Sequence, residues 1–165
     1  MKRFLKPGRV VVLLAGRHAG RKAVVLRASY EGGRERRFRH CLVAGLARAP
    51  RRVHRGQGAA VAGRRVRVKA FAKQVNFGHL MPTRYQLGEQ LDVRALARAY
   101  EGQAAVRREG EAAEKARDPL ANADFRAAFC KQAKDMFEAK YAALDINATT
   151  PEASELRFFF KPLRF

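Results

Sequence analysis

Arg17, His18, Arg21 and Lys22 fall within six positions, in a loop that also holds Gly16 and Gly20 and joins two apolar runs: VVVLLAGRHAGRKAVVL, residues 10–26. Such a cluster could cradle a nucleotide phosphate, supply a catalytic base, or neutralise the phosphates of a polynucleotide. The first use needs G-x-x-x-x-G-K-S/T, in which backbone amides wrap the phosphates, a lysine reaches the terminal ones and a hydroxyl binds magnesium. Here Gly16 and Gly20 stand one residue too close, Arg21 takes the lysine position, and Lys22 and Ala23 follow without a hydroxyl. What comes next reads as a strand, so no helix N-terminus is present to hold an anion.

Catalysis fares no better. Glu31, Glu35 and Glu89 form no evident pair, and the later acids sit at helical intervals where they serve Lys and Arg as surface partners. His79, beside Leu80, Met81 and Pro82, is a lone base without a nucleophile or an orienting group. His18, His40, His54 and His79 join Cys41 and Cys130 at no zinc-like spacing, and adjacent His40 and Cys41 would face opposite sides of a strand. The expectation is a protein that is not an enzyme, binds no metal or other cofactor and takes no small-molecule substrate.

The polyanion remains. Up to Gln90 the chain carries 22 basic and 3 acidic residues; beyond it the counts are 13 and 12. Self-repulsion on that scale opposes a compact state unless a polyanion compensates it, which points to nucleic-acid phosphates. Cys41 and Cys130, far apart in a chain without a disulfide framework, indicate free thiols and a reducing compartment. The apolar run after MKRFLKPGR is too short for a signal peptide and follows Pro7 and Gly8. No stretch approaches the roughly 18 apolar residues of a membrane span, so no membrane partner is expected.

Two kinds of element must position the cations. From Arg9 to Leu46 short Val- and Leu-rich runs alternate with turn residues, the punctuation of a small antiparallel sheet. The segment ARAPRRVHRGQGAAVAGRR reads as a basic loop. Val66, Val68 and Ala70 then alternate with Arg65, Arg67 and Lys69, which predicts a strand with one cationic face. Beyond Leu91 the spacing turns helical: a marginal helix over 92–117, a start at Asp118 and Pro119, then Phe125, Phe129, Ala133, Met136, Phe137, Tyr141 and Leu144 on one apolar face. HLMPTRY reads as an ordered, non-helical crossing, because Pro82 pushes Met81 to extended geometry. The ending LRFFFKPLRF reads either as a hydrophobic closing strand or, the preferred expectation, as a tail whose phenylalanines pack on protein or bases while Arg157, Lys161 and Arg164 engage phosphates.

VVVLLAGRHAGRKAVVL resembles a KOW motif, found in small SH3-like barrels of ribosomal proteins and transcription elongation factors. With MKRFLKPGR, CLVAGLARAPRRV, NFGHLMPTRY and FFFKPLRF in this order, nearly the whole chain is similar to the eukaryotic large-subunit ribosomal protein L27e family. The resemblance implies an α+β chain: an SH3-like β-barrel over residues 1–90, then a helical extension and an aromatic and basic tail over 91–165. It implies a structural constituent of the cytosolic large subunit, assembled in the nucleolus, with large-subunit rRNA and neighbouring ribosomal proteins as partners. The other class left open is a freely exchanging KOW-type RNA-binding or elongation factor. Expected RNA contacts are Lys2, Lys6, Arg9, Arg17, His18, Arg21, Lys22, Arg51, Arg52, His54, Arg55, Arg64, Arg65, Arg67, Lys69, His79, Arg84, Lys161 and Arg164, with Gly16, Gly20 and Pro82 shaping turns. Apparent insertions near 100–122 and 146–155 depart from the family pattern.

Overall fold

A computed structural model of the chain describes residues 4–32, 36–88, 90–110, 118–145 and 149–163. Lys2 and Arg164 lie outside these residues. Five strands, β1 (Arg9–Leu13), β2 (Lys22–Ser29), β3 (His40–Arg48), β4 (Lys69–Asn76) and β5 (Leu80–Gln86), form one antiparallel sheet in the order β4-β3-β2-β1-β5. The edge strands β4 and β5 are joined only by the 3-10 turn Phe77–His79. A flat sheet of five strands would hold its edges about 19 Å apart, whereas the connection reaches at most about 14 Å when extended. The sheet therefore curls until its edges approach.

Curling explains why the sequence shows continuous apolar runs rather than strict alternation. Val11, Leu13, Ala23, Val25, Cys41, Val43, Phe71, Val75 and Leu80 pack together on one face. Their neighbours Val10, Val24, Leu26, Leu42, Ala44 and Leu46 join a second cluster with the helices. Both faces are buried, so every position of a strand such as VVVL must be apolar.

The helices are α1 (Ala59–Val66), α2 (Val93–Gly110), α3 (Ala123–Ala142) and α4 (Pro151–Phe160). Asp118 caps a 3-10 turn at Pro119–Ala121, and Asn122 then caps α3, accepting from the Asp124 amide at 3.0 Å. Phe129, Ala133 and Phe137 are buried from α3, with Phe125, Met136, Tyr141 and Leu144 packed around them, as the spacing predicted. Residues 111–117, the end of the predicted marginal helix, lie outside the described residues.

Two expectations are corrected. Arg65 and Val66 end helix α1 and Arg67 caps it, so the strand begins at Lys69 rather than Arg65; Ala59, Ala60 and Ala62 favour a helix over the extended loop expected there. The aromatic ending is not a closing strand but a helix up to Phe160, whose phenylalanines pack on the protein itself. Thr150 caps α4, Pro151 opens it, and Phe159 and Phe160 are buried against Phe137 and Tyr141, with ring centroids 5.3 and 5.1 Å apart.

Candidate nucleic-acid interface

The β1–β2 loop closes on its own backbone. The Gly20 amide donates to Leu13 O at 2.7 Å, Ala19 to Gly16 O at 2.9 Å, and Arg21 to His18 O at 3.1 Å. Gly16 and Gly20 have φ of 85° and 72°, left-handed values that L side chains resist. With the backbone so fixed, Arg17 is exposed and His18 lies flat on Phe71, ring centroids 3.9 Å apart and planes 5° from parallel. Arg21 Nη1 donates to His18 Nδ1 at 2.6 Å. Burial depresses the His18 pKa below its ordinary value, and the charges of Arg21, Lys73 and Arg17 depress it further. A guanidinium can only donate, so His18 Nδ1 is the acceptor, and the cluster gathers Arg17, Arg21 and Lys73 around one aromatic step.

A second group lies between β3 and β4. The Arg51 amide donates to Arg65 O at 2.8 Å and Arg65 Nη1 donates to Arg52 O at 3.1 Å, closing residues 51–65 into an arm. Helix α1 buries none of its residues. Arg51, Arg52, His54, Arg55, Arg64, Arg67 and Lys69 are exposed, and the segment from Ala47 to Lys69 contains no acid. At its root Arg48 and Lys69 are register partners on adjacent strands, a pairing of like charges that costs stability in water, and Arg48 Nη2 donates to Arg67 O at 3.2 Å. Among the described residues, no ion pair includes a cation of the loop or the arm.

The remaining expected contacts divide. His79 and Arg84 are exposed around β5; Pro82, expected to shape a turn, lies instead within this edge strand opposite Val11, where its missing N–H is tolerated. Lys6 is exposed, while Arg9 donates to Thr83 O at 2.9 Å and is partly committed to its own chain. Lys22 departs from the expected role. It is 5 % exposed, and its ammonium donates to Phe158 O and to Lys161 O and sits 3.7 Å from the Phe158 ring centroid. Two carbonyls and a ring already satisfy it, so it faces the C-terminal segment and not a phosphate. Burial, then the Lys161 charge, brings its pKa down to about 8.

Sequence reasoning missed Phe71, Lys73 and Gly45. A Cβ on Gly45 would stand 2.6 Å from both the Ala23 Cβ and Lys22 O, and 2.8 Å from Phe71 Cε1, so the bare backbone makes room for the ring that carries His18. Nothing in a single strand marks that glycine as the floor beneath a loop.

No group of His, Cys, Asp and Glu among the described residues could hold a metal ion, and no described helix is long and apolar enough to cross a membrane. Residues 10–165 match the model of the Ribosomal L27e protein family. The chain belongs to that family. A Tetrahymena thermophila relative, large ribosomal subunit protein eL27, is 39% identical over 165 residues, the whole of both chains. An Arabidopsis thaliana relative, eL27z, is 33% identical over the same full span. A potato relative, Solanum tuberosum eL27, is 56% identical over 91 residues, 55% of this chain and 66% of that protein. Membership makes this L27e chain a ribosomal structural constituent and not an enzyme.

Proposed function

We propose that the chain is a constituent of the cytosolic large ribosomal subunit that binds large-subunit rRNA through the β1–β2 loop and the 51–67 arm, contacts neighbouring ribosomal proteins and supports subunit assembly beginning in the nucleolus. The observation that carries this reading is a cationic surface that makes no ion pair among the described residues, with Arg48 opposite Lys69 in register at its root. The curled five-stranded sheet supports reading the first ninety residues as an SH3-like barrel, with the KOW motif in β1, its loop and β2. Arg17, Arg21, Arg51, Arg52, His54, Arg55, Arg64, Arg65, Arg67, Lys69, His79 and Arg84 provide the outward contacts.

Phosphate neutralisation releases counterions, so each contact contributes about 0.7 to 0.9 to the log–log slope of affinity against salt. Titrating the full chain against a structured rRNA fragment across salt concentrations tests the reading. A slope corresponding to several contacts supports it, and a flat response contradicts it.

A further inference from the structure

Lys22 is a charged side chain buried at the point where the β1–β2 loop meets the end of the chain. Its ammonium takes the carbonyls of Phe158 and Lys161, the second at 2.6 Å. Both belong to the C-terminal end of α4, where the Lys161 amide closes the helix on Arg157 O. Carbonyls in a last helical turn lack partners within the helix and carry the negative end of its dipole. Lys22 supplies both needs from a residue 136 positions away in sequence.

The ring of Phe158 is held between two groups. Lys22 lies over it, and Tyr85 of β5 stacks on it with centroids 4.1 Å apart. Lys22 also lines the space beside this contact. An open cleft of about 300 Å³ runs between the loop and the tail, with Arg21 on the loop side, Lys161 on the tail side, and Leu46 and Phe159 between. Arg21, next to Lys22 in sequence, belongs to the cationic cluster with His18.

We propose that Lys22 is a positioning residue of the RNA interface: by clamping the end of α4 beside the β1–β2 loop it fixes Arg21 and Lys161 on opposite lips of one cleft, so that loop and tail meet the RNA backbone as a single surface. The inference rests on the RNA-binding reading, but its mechanical half concerns the free protein. The buried ammonium cannot be lost without breaking both hydrogen bonds, and half-buried or exposed carbonyls that lose this partner turn to water instead, which favours release of the segment. Release of α4 would remove Lys161 from the surface and uncover the base of the loop.

The experiment compares full-length wild type with Lys22→Met, Lys22→Arg and the pair Arg21→Ala/Lys161→Ala. Amide exchange in the free protein is read at Gly20 to Lys22 and at Phe158 to Lys161. Lys22→Met should speed exchange at least tenfold in both segments together, and Lys22→Arg, which keeps donors, should restore most of the protection. In RNA titrations Lys22→Met should lower the salt slope by about two contacts, roughly 1.4 to 1.8. It should cause little further loss in the Arg21→Ala/Lys161→Ala background.

A slope reduced by one contact with exchange unchanged would show that Lys22 meets a phosphate itself, and would overturn the proposal. So would exchange that rises at the tail alone. Should Lys22→Met fail to fold, Phe158→Ala, which removes the ring and leaves the carbonyls, is read for the same joint loss of protection. If wild type shows no salt-dependent RNA affinity, the binding reading fails, and with it Lys22's role at an RNA surface, while exchange still reports whether the clamp exists.

Discussion

His18 rests on Phe71 with the two rings 3.9 Å apart and nearly parallel, and the space for Phe71 exists because residue 45 has no side chain. A loop that would otherwise be tethered only at its ends is thereby seated on the sheet. The seating has a chemical cost: a charged imidazole is disfavoured there by burial and by Arg21, Lys73 and Arg17.

That cost predicts an acid response. The His18 pKa is lower in the folded chain than its ordinary 6.5, so between the two values the unfolded chain binds more protons. Stability from this group is complete above the ordinary value and is lost as pH falls from there through the lower folded value. His18→Phe keeps a ring on Phe71 and removes the titration. The melting temperature of wild type should fall more than that of His18→Phe between pH 7.5 and 5.5. Parallel falls would show that His18 is not the group responsible.

Gly45→Ala should destabilise the sheet. The added carbon meets backbone at Lys22 O and a packed ring at Phe71, neither of which is a flexible side-chain end. Overpacking of this kind costs about 1–3 kcal/mol, to be read from the urea midpoint. Because Phe71 must shift, the His18 titration should move toward its ordinary value in the same variant.

Gly20→Val and Arg21→Ala should separate folding from binding. Valine at a φ of 72° is strained, by roughly 1–2 kcal/mol or more. Arg21→Ala removes one contact to His18 and should cost less than about 1 kcal/mol while weakening RNA binding and its salt dependence. Equal, mild losses of stability in both variants would argue against the left-handed turn.

Much of this arrangement was legible in residues 9–46, where apolar runs bounded by glycines could only be short strands, and in the Phe129–Ala133–Phe137 stripe of α3. The division of roles between Arg21 and Lys22 was not. Two adjacent cations are equivalent in a sequence, and the one that is buried is decided by strand register, Val12 opposite Lys22, and by a helix end 136 residues later. The segment from Arg65 to Ala70 misled for a different reason. Its alternation of charge and valine extends over too few residues to separate a period of two from the last turn of α1. Phe71 gave no sign of its part because a stacked partner lies in a loop more than fifty positions earlier.

Alkaline conditions should favour the folded chain through Lys22. Its pKa is about 8 in the fold against an ordinary 10.5, so between those values the unfolded chain holds more protons and rising pH stabilises the native state. The neutral amine keeps N–H donors for the carbonyls of Phe158 and Lys161. The stability of wild type relative to Lys22→Met should therefore increase from pH 7.5 to 10, by on the order of 1–3 kcal/mol. A difference that stays constant with pH would show that the ammonium is not held in a desolvated site.

The central claim is that the unpaired cations of the loop and the arm hold this chain on the large subunit. It is tested most directly by expressing the tagged full chain in a eukaryotic cell and sedimenting the lysate through a high-salt gradient. The account predicts that the chain travels with large subunits, and that a variant with Arg51, Arg52, Arg55, Arg64 and Arg65 changed to Gln shifts to the top of the gradient. Wild type found only in the soluble top fractions, or a Gln variant retained as firmly as wild type, would contradict it.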